Sequence, residues 1–561
     1  MATAAVDPIT TEVIRNALNS AAEEMNATLV RSAYTWIIYE LRDCSVALLD
    51  AEHRVLGQSS GLPIFLGNLE VCTQLTEEMY GREVWQPGDV WVLNDSYLAG
   101  THLNDISVYS PIFHGTELIG FGASRAHWLD VGAKDPGSPM DSTDIWQEGL
   151  RMGPLKVVEG GCVREDVVDL LGRNSRFSYP ARGDLAAQIA CARTGEKRLC
   201  AIVERFGLAT VQAARDEIFA QTERIERAAI SALPDGVYEA EGCNDNDGLD
   251  DEPVFIRLKV TVDGERLEID LTGTDDMQRG PVNCGRAQAI SACRVAYKLL
   301  VDPDRPPNGG AFRPLEVKVR TGSLLAAEEP APCAWYFTTL GLLIDLVVKA
   351  LAPAIPKQAA GASYGDSMVF GAAGIDPRGG ALFFHLEPTV GGWGAWHGSD
   401  GESALINNVN GAMKDFPVEI LETKVPLRVR RYEIRPDSGG AGRWRGGNGV
   451  VREFELLCDE AVVYLWWERS KTPAWGLFGG HDGVPPEVVI NPGRDDEQRK
   501  FKSAGIKLQR GDIVRGATGG GGGYGDPSQR DRAAIEDDLA NGDLTLEGAR
   551  RLYGYEGGTG D

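Results

Sequence analysis

The chain has 561 residues, 56 basic and 82 acidic, for a net charge of −26. At about 100 to 200 residues per domain, this length allows three or four domains or one large layered body. An acidic chain with no Lys/Arg block repels other polyanions, so neither nucleic acid nor an anionic membrane is an expected partner.

In chain order, Asp7-Pro8 supplies a cap and a first-turn proline, and Ile14, Leu18, Ala21, Met25 and Leu29 follow at helical spacing. From Asp43 to His127 the pattern changes to short strands (44–49, 90–93, 106–111 and 118–123) joined by Gly, Asn and Asp-rich turns. A helical block over 184–233 carries the stripe Val211, Ala214, Ile218, Ile225, Ala229 and Leu233, and Pro234-Asp235-Gly236 stops it. Leu258, Val260 and Val262 then alternate up to Asp263-Gly264, with Leu267, Ile269 and Leu271 alternating after it, which predicts a β-hairpin. The most apolar run, 338–355, contains Asp345 and Lys349 and ends at Pro353 and Pro356, so it reads as a core helix and not a membrane span. Glycine-rich loops fill 361–449. The run Gly519–Gly523 lacks the Gly-Lys-Ser/Thr ending of a phosphate loop and reads as a flexible or tightly turning connector. Two short helices close the chain, at 532–539 and 545–553.

These elements predict an α+β fold, a large mixed multilayer body with several β-sheets and flanking helices. The expected regions are 1–233, carrying the candidate site; 234–330, rich in β; 331–526, glycine-rich and mixed; and a helical tail over 527–561. The ten cysteines are scattered and never form a Cys-x-x-Cys pair, and no signal peptide is read in the first ten residues. A cytoplasmic location is therefore expected.

Chemistry is best sought among the seven histidines. His53, His114, His385 and His481 are not expected to join a ligand set, whereas His102 and Asp105 stand three residues apart at the entry to a strand, and His127 ends the following strand region. Strand ends in a meander approach within several ångströms, so two imidazoles and a carboxylate can meet at one point. Such a set suits a divalent metal, Mn, Fe or Zn, with open positions for water or substrate. The same spacing also suits two histidines satisfied within a core or loop, and spacing alone does not choose. Asp130 is a candidate general base or orienting group for His127, with a cap or turn as its alternative role. Arg125 is a candidate anion-binding group, with a surface ion pair as its alternative. In Gly391-Gly392-Trp393-Gly394-Ala395-Trp396-His397, the glycines allow close backbone approach to a ligand or simply a tight turn.

Several of these stretches resemble the hydantoinase B/oxoprolinase family. They are Asn94-Asp95 through Asp105, His127 to Gly132, Glu148-Gly149-Leu150-Arg151, Gly280-Pro281-Val282-Asn283, Gly391 to Ala395, Pro436 to Gly442 with Arg445-Gly446-Gly447, and Tyr524-Gly525-Asp526-Pro527. The resemblance implies one subunit of a complex. A hydantoinase A-like partner with an actin-type fold would bind ATP and Mg and phosphorylate the substrate, in an α2β2 heterotetramer. The B-type subunit would carry the metal and complete the reaction on a cyclic amide such as a hydantoin, oxoproline or a lactam. It also implies metal ligands at His102, Asp105 and His127, with Asp43 as a fourth. Acetone and acetophenone carboxylases are related, so a ketone carboxylase subunit is the alternative, with Trp128, Trp393 and Trp396 suited to an aromatic substrate. A scaffold for the ATPase partner is the non-enzymatic one. The chain departs from the family pattern at Phe65 and Ala126, where relatives carry histidine, and at Asn104, where they carry proline. Altered substrate contacts are expected near Phe65 and Ala126.

Overall fold

The computed structural model describes residues 6–557 and forms four β-sheets with helices around them, a mixed α+β fold. The chain divides into two units. The first comprises the chain up to Tyr238 with Leu258–Tyr336 and Val409–Lys414; the second comprises Glu239–Arg257, Phe337–Asn408 and the chain from Asp415 on. No helix among the described residues is long and apolar enough to cross a membrane.

The first unit is organised by a seven-stranded sheet. Its strands in chain order are β1 (Cys44–Asp50), β2 (Val55–Gln58), β3 (Val90–Leu93), β4 (Asp105–His114), β5 (Glu117–His127), β6 (Leu155–Glu159) and β7 (Cys162–Val163). In space the order is β2-β1-β5-β4-β3-β6-β7. Every residue of β1 is buried, as expected of a strand covered on both faces. On one face Val46, Leu48 and Ala126 pack with Ile14, Leu18, Met25 and Leu29 of the helix Pro8–Ser32 and with Cys191 and Leu199 of the helix Ser178–Phe206. On the other face Ala47, Leu49, Phe121, Ala123 and Tyr109 pack with Cys72, Trp85 and Trp91. Asp7 caps the first helix by accepting from the N–H groups of Ile9 and Thr10, both at 3.0 Å. The predicted helical block is two helices, Ser178–Phe206 and Leu208–Ser231, separated at Gly207, whose φ of +81° admits the break. The predicted hairpin pairs Leu267 with Val262 and Ile269 with Val260.

In the second unit, the run at 519–523 is not a connector. It is a buried centre with backbone packed on backbone. Gly520 and Gly523 donate to the carbonyls of Val484 and His481 at 3.1 and 2.9 Å, while Gly519 and Gly522 accept from Gly392 at 3.1 Å and Ala395 at 2.9 Å. Gly521 donates to Gly447 at 2.9 Å and accepts from Gly440 at 2.8 Å. Residues three apart thus face the same neighbour, the period of an extended polyproline-II-type helix. A Cβ on Gly520 would meet the Ser438 carbonyl oxygen at 1.8 Å, and one on Gly521 that of Trp393 at 2.0 Å. The loops at 391–395, 439–442 and 446–449 are the neighbours of this centre, and close packing accounts for the first loop's glycines: a Cβ on Gly392 would meet Gly447 and Gly521, one on Gly394 the Gly361 backbone, and one on Gly391 the Tyr364 ring. The apolar run predicted as a core helix is the helix Tyr336–Leu351, and the tail forms Arg532–Asn541 and Leu546–Tyr553.

The second unit also buries an ion pair. Arg452 is 1% exposed and its Nη1 lies 3.0 Å from Glu387 Oε1, while His385 Nε2 lies 3.2 Å from Oε2. Burial opposes the Glu387 charge, but Arg452 and His385 outweigh it and hold the carboxyl at about 2, below its ordinary 4.5. An acid depressed in the folded state stabilises above its unfolded pKa, and that contribution fades as pH falls from about 4.5 towards 2. Glu387→Gln is therefore expected to cost about 3 kcal/mol at neutral pH. Denaturant titrations on the acid side should show that deficit shrinking.

Candidate metal centre

The segment that delivers His102 is shaped by its own polar residues. Asp95 accepts from the Tyr97 N–H at 2.9 Å and caps the short turn Ser96–Ala99, which Gly100 ends at φ +90°. Asn94 clamps the loop from inside: its Nδ2 donates to the carbonyls of Leu103 (2.7 Å) and Leu150 (2.9 Å), and its Oδ1 accepts from the Met152 N–H. Asn104 Nδ2 donates to the Trp128 carbonyl at 2.9 Å, and the Trp128 N–H returns to the Asn104 carbonyl at 2.8 Å. Asparagine in place of proline at 104 thus ties the start of β4 to the end of β5.

Asp105 and His127 are direct partners in the antiparallel β4–β5 ladder, as are Ser107 and Arg125. Opposed residues share a face, so Asp105, Ser107, Arg125 and His127 all stand on the side away from the helices Pro8–Ser32 and Ser178–Phe206. His102 Nε2 lies 3.0 Å from both Asp105 Oδ1 and His127 Nδ1, and His127 Nδ1 lies 3.1 Å from Asp105 Oδ1. The three side chains are buried, and their ligand atoms form one compact group. His102 Nδ1 lies 2.9 Å from the Ala334 carbonyl oxygen, which can only accept, so a proton sits on Nδ1 and, whenever the ring is neutral, its Nε2 lone pair faces the triangle. The Tyr336 hydroxyl donates to Asp105 Oδ2 at 2.9 Å, leaving Oδ1 for the triangle.

The electrostatics follow from burial and proximity. Burial opposes the Asp105 charge, yet His102 and His127 hold its carboxyl well below the usual carboxylate range. Burial likewise opposes an imidazolium at His102, but Asp105 outweighs it and raises that imidazole. Burial and the Asp105 charge keep the Tyr336 phenol protonated as a donor.

Asp43 reaches the neighbourhood by its backbone, whose carbonyl accepts from the His127 N–H at 3.1 Å. Its Oδ1 is enclosed without a hydrogen-bond partner, and burial pushes the carboxyl up to about 6 against the pull of His127. The carboxylate lies outside the compact group of three.

Other predicted residues have different employment. Asp130 is engaged by Arg176, which bonds both of its oxygens with Nη1 and the backbone N–H each at 2.7 Å, and it makes no hydrogen bond to His127. Arg125 is no surface ion pair: it is fully buried and donates to Ser107 Oγ at 2.8 Å, Asn68 Oδ1 at 2.8 Å and Cys72 Sγ at 3.3 Å, with the Phe65 ring 5.6 Å from its guanidinium carbon. Phe65 therefore covers the arginine. Ala126, paired with Cys44, alternates to the face covered by the helices Pro8–Ser32 and Ser178–Phe206 and belongs to their core cluster. Trp128 also packs in the core, its Nε1 on Gln188, and Trp393 lends its backbone to the glycine centre. Sequence reasoning missed Tyr336 and the Ala334 carbonyl, which come from a segment more than 200 residues downstream, with no signal near His102 to reveal them.

Fold and site together define a mixed α+β protein with a buried two-histidine, one-aspartate centre at a sheet end. The chain belongs to the hydantoinase B/oxoprolinase family, which it matches over residues 7–527. The caprolactamase subunit beta of Pseudomonas jessenii is 31% identical, the match covering 98% of this chain and 96% of that one. The crystal structure of the ATP-dependent caprolactamase from that organism superposes with a TM-score of 0.91 at 30% identity, over 99% of this chain and 98% of that chain. 5-Oxoprolinase 1 of Arabidopsis thaliana is 30% identical over 92% of this chain and 42% of its own length. The nucleotide-free acetone carboxylase structure shares the fold at TM-score 0.88 and 20% identity, over 98% of this chain and 79% of that one.

Proposed function

We propose that this chain is the metal-bearing subunit of an ATP-dependent cyclic-amide hydrolase, acting on a hydantoin, oxoproline or lactam ring after an A-type partner has phosphorylated it. The observation that carries the reading is the triangle of His102 Nε2, Asp105 Oδ1 and His127 Nδ1, with edges of 3.0, 3.0 and 3.1 Å. Two imidazole nitrogens and one carboxylate oxygen converging in a buried site are a donor set that would hold Mn2+, Fe2+ or Zn2+. When bound, such an ion lowers the pKa of a water molecule and supplies a nucleophile at neutral pH.

An amide resists attack because its carbonyl is a poor electrophile and its nitrogen a poor leaving group. Phosphorylation of the amide oxygen by an ATP-binding partner, in an α2β2 assembly, removes the first obstacle. In this chain His102 and His127 would offer one ring nitrogen each, Asp105 one oxygen, and Tyr336 holds the other. Asp43 adds a nearby carboxylate that becomes a fourth ligand if its side chain turns inward. Arg125 stands two residues from His127 on the same face, a buried positive charge without a carboxylate among its hydrogen-bond partners, and favours an anionic intermediate beside the triangle.

The test is to assemble the chain with its ATP-binding partner and screen hydantoins, oxoproline, caprolactam and aryl ketones with ATP. Metal-dependent opening of a cyclic amide is expected. Bicarbonate-dependent turnover of ketones alone would replace this reading with the carboxylase one, and absence of any turnover or metal would leave the scaffold.

A further inference from the structure

Glu148 opens one of the sequence motifs that the proposed chemistry leaves unused. It is 2% exposed, ends the turn Ile145–Glu148, and has no cationic side chain among its hydrogen-bond partners. Its Oε1 accepts from the Ser142 hydroxyl at 2.7 Å, the Cys333 N–H at 3.0 Å and the Ala334 N–H at 2.9 Å, and its Oε2 lies 3.0 Å from the Cys333 N–H. Ala334 is thus held at both ends, its N–H on Glu148 and its carbonyl on His102 Nδ1. A carboxylate behind a carbonyl that accepts from an imidazole is an extended form of the carboxylate–histidine pairing that fixes tautomer and ring direction at metal centres.

We infer that Glu148 is a positioning residue for His102: it anchors the Cys333–Ala334 corner so that the Ala334 carbonyl keeps the His102 proton on Nδ1 and leaves Nε2 as the ligand lone pair. The inference rests on reading the triangle as a metal centre. A carboxylate suits the task because it only accepts, and two backbone N–H groups and a hydroxyl converge on it. Glutamine holds the corner less well, since its NH2 would face the Cys333 N–H at the Oε2 position and its neutral oxygen is a weaker acceptor for the three donors on Oε1.

The corner has other anchors: Trp335 donates through its backbone N–H to the Pro281 carbonyl at 2.8 Å and through Nε1 to the Pro139 carbonyl at 2.7 Å. The loop should therefore persist when Glu148 is altered, while its fine position changes. In Glu148→Gln, competition with a chelator should show Mn2+ and Zn2+ bound 10- to 100-fold more weakly than in the wild-type chain. In metal-free protein labelled with 15N-histidine, at a pH high enough to leave His102 neutral, its signal should move from the Nδ1–H tautomer towards a mixture. Glu148→Asp, which keeps the charge but withdraws it by one methylene, should give a smaller loss in the same direction and serves if the glutamine variant does not fold. A purely structural role would lower the melting temperature and leave both readouts unmoved. Metal affinity within twofold of wild type and an unchanged tautomer in the folded variant would overturn the inference. Failure of the wild-type chain to bind metal would instead overturn the proposed function.

Discussion

Gly521→Ala is expected to unfold the second unit or to leave the chain insoluble. The new Cβ would lie 2.0 Å from the carbonyl oxygen and 2.1 Å from the carbonyl carbon of Trp393, and 2.7 Å from the Gly394 nitrogen. These are backbone atoms of a segment that is itself pinned: the Trp393 carbonyl accepts from Gly447 and the Gly392 N–H donates to Gly519. A flexible side chain could swing aside, but a hydrogen-bonded backbone cannot move without breaking its other partners. The cost should thus exceed the usual range for overpacking, about 3 kcal/mol or more. Denaturant titration or recovery in the soluble fraction measures it. Gly505→Ala is a useful contrast, because its Cβ would meet nothing within 4 Å and only its φ of +74° opposes the change. A milder loss, about 1 kcal/mol, is expected there.

The second large effect concerns the triangle. His102→Ala and His127→Ala each remove one of three converging ligand atoms, and stoichiometric metal should disappear from the purified chain. With the partner present, ATP-dependent ring opening should fall by about 10^3-fold or more, equivalent to roughly 4 kcal/mol of lost transition-state stabilisation. Folding should survive. Asp105 keeps the Tyr336 hydroxyl and one histidine in either variant, so the stability loss stays near 1 to 3 kcal/mol. Asp130→Asn should not affect metal content, because Asp130 serves Arg176 and not the cluster.

Much of this site could be read from the amino acids alone. Its carriers lie close in sequence, and strand pairing sets the distance: Asp105 and His127 become ladder partners once the strands around Ile106 and Leu118 are recognised as one hairpin. The fate of Ala126 was also within reach, since strand alternation turns it away from His127, but the predicted strand stopped at Ala123 and so lost the parity. Tyr336, Ala334 and Glu148 were not legible as site residues, because their meeting depends on loop paths between segments about 185 to 232 residues apart. Asp130 and Arg125 show a different limit: their positions beside His127 were plain, but their hydrogen-bond partners Arg176, Asn68 and Cys72 are set by tertiary packing. The glycine run misled for a related reason. A glycine tract in one chain reads as freedom, and only the partner tracts at 391–394, 439–442 and 446–449 convert it into close packing. Those tracts were visible as loops; what joins them is backbone hydrogen bonding without side-chain pattern.

Metal analysis of the purified chain beside His102→Ala tests the central claim most directly. Close to one divalent ion per wild-type chain is expected, Mn, Fe or Zn, and none in the folded variant, with ATP-dependent ring opening lost in step. A wild-type chain that is metal-free after reconstitution yet fully active with its partner would contradict it.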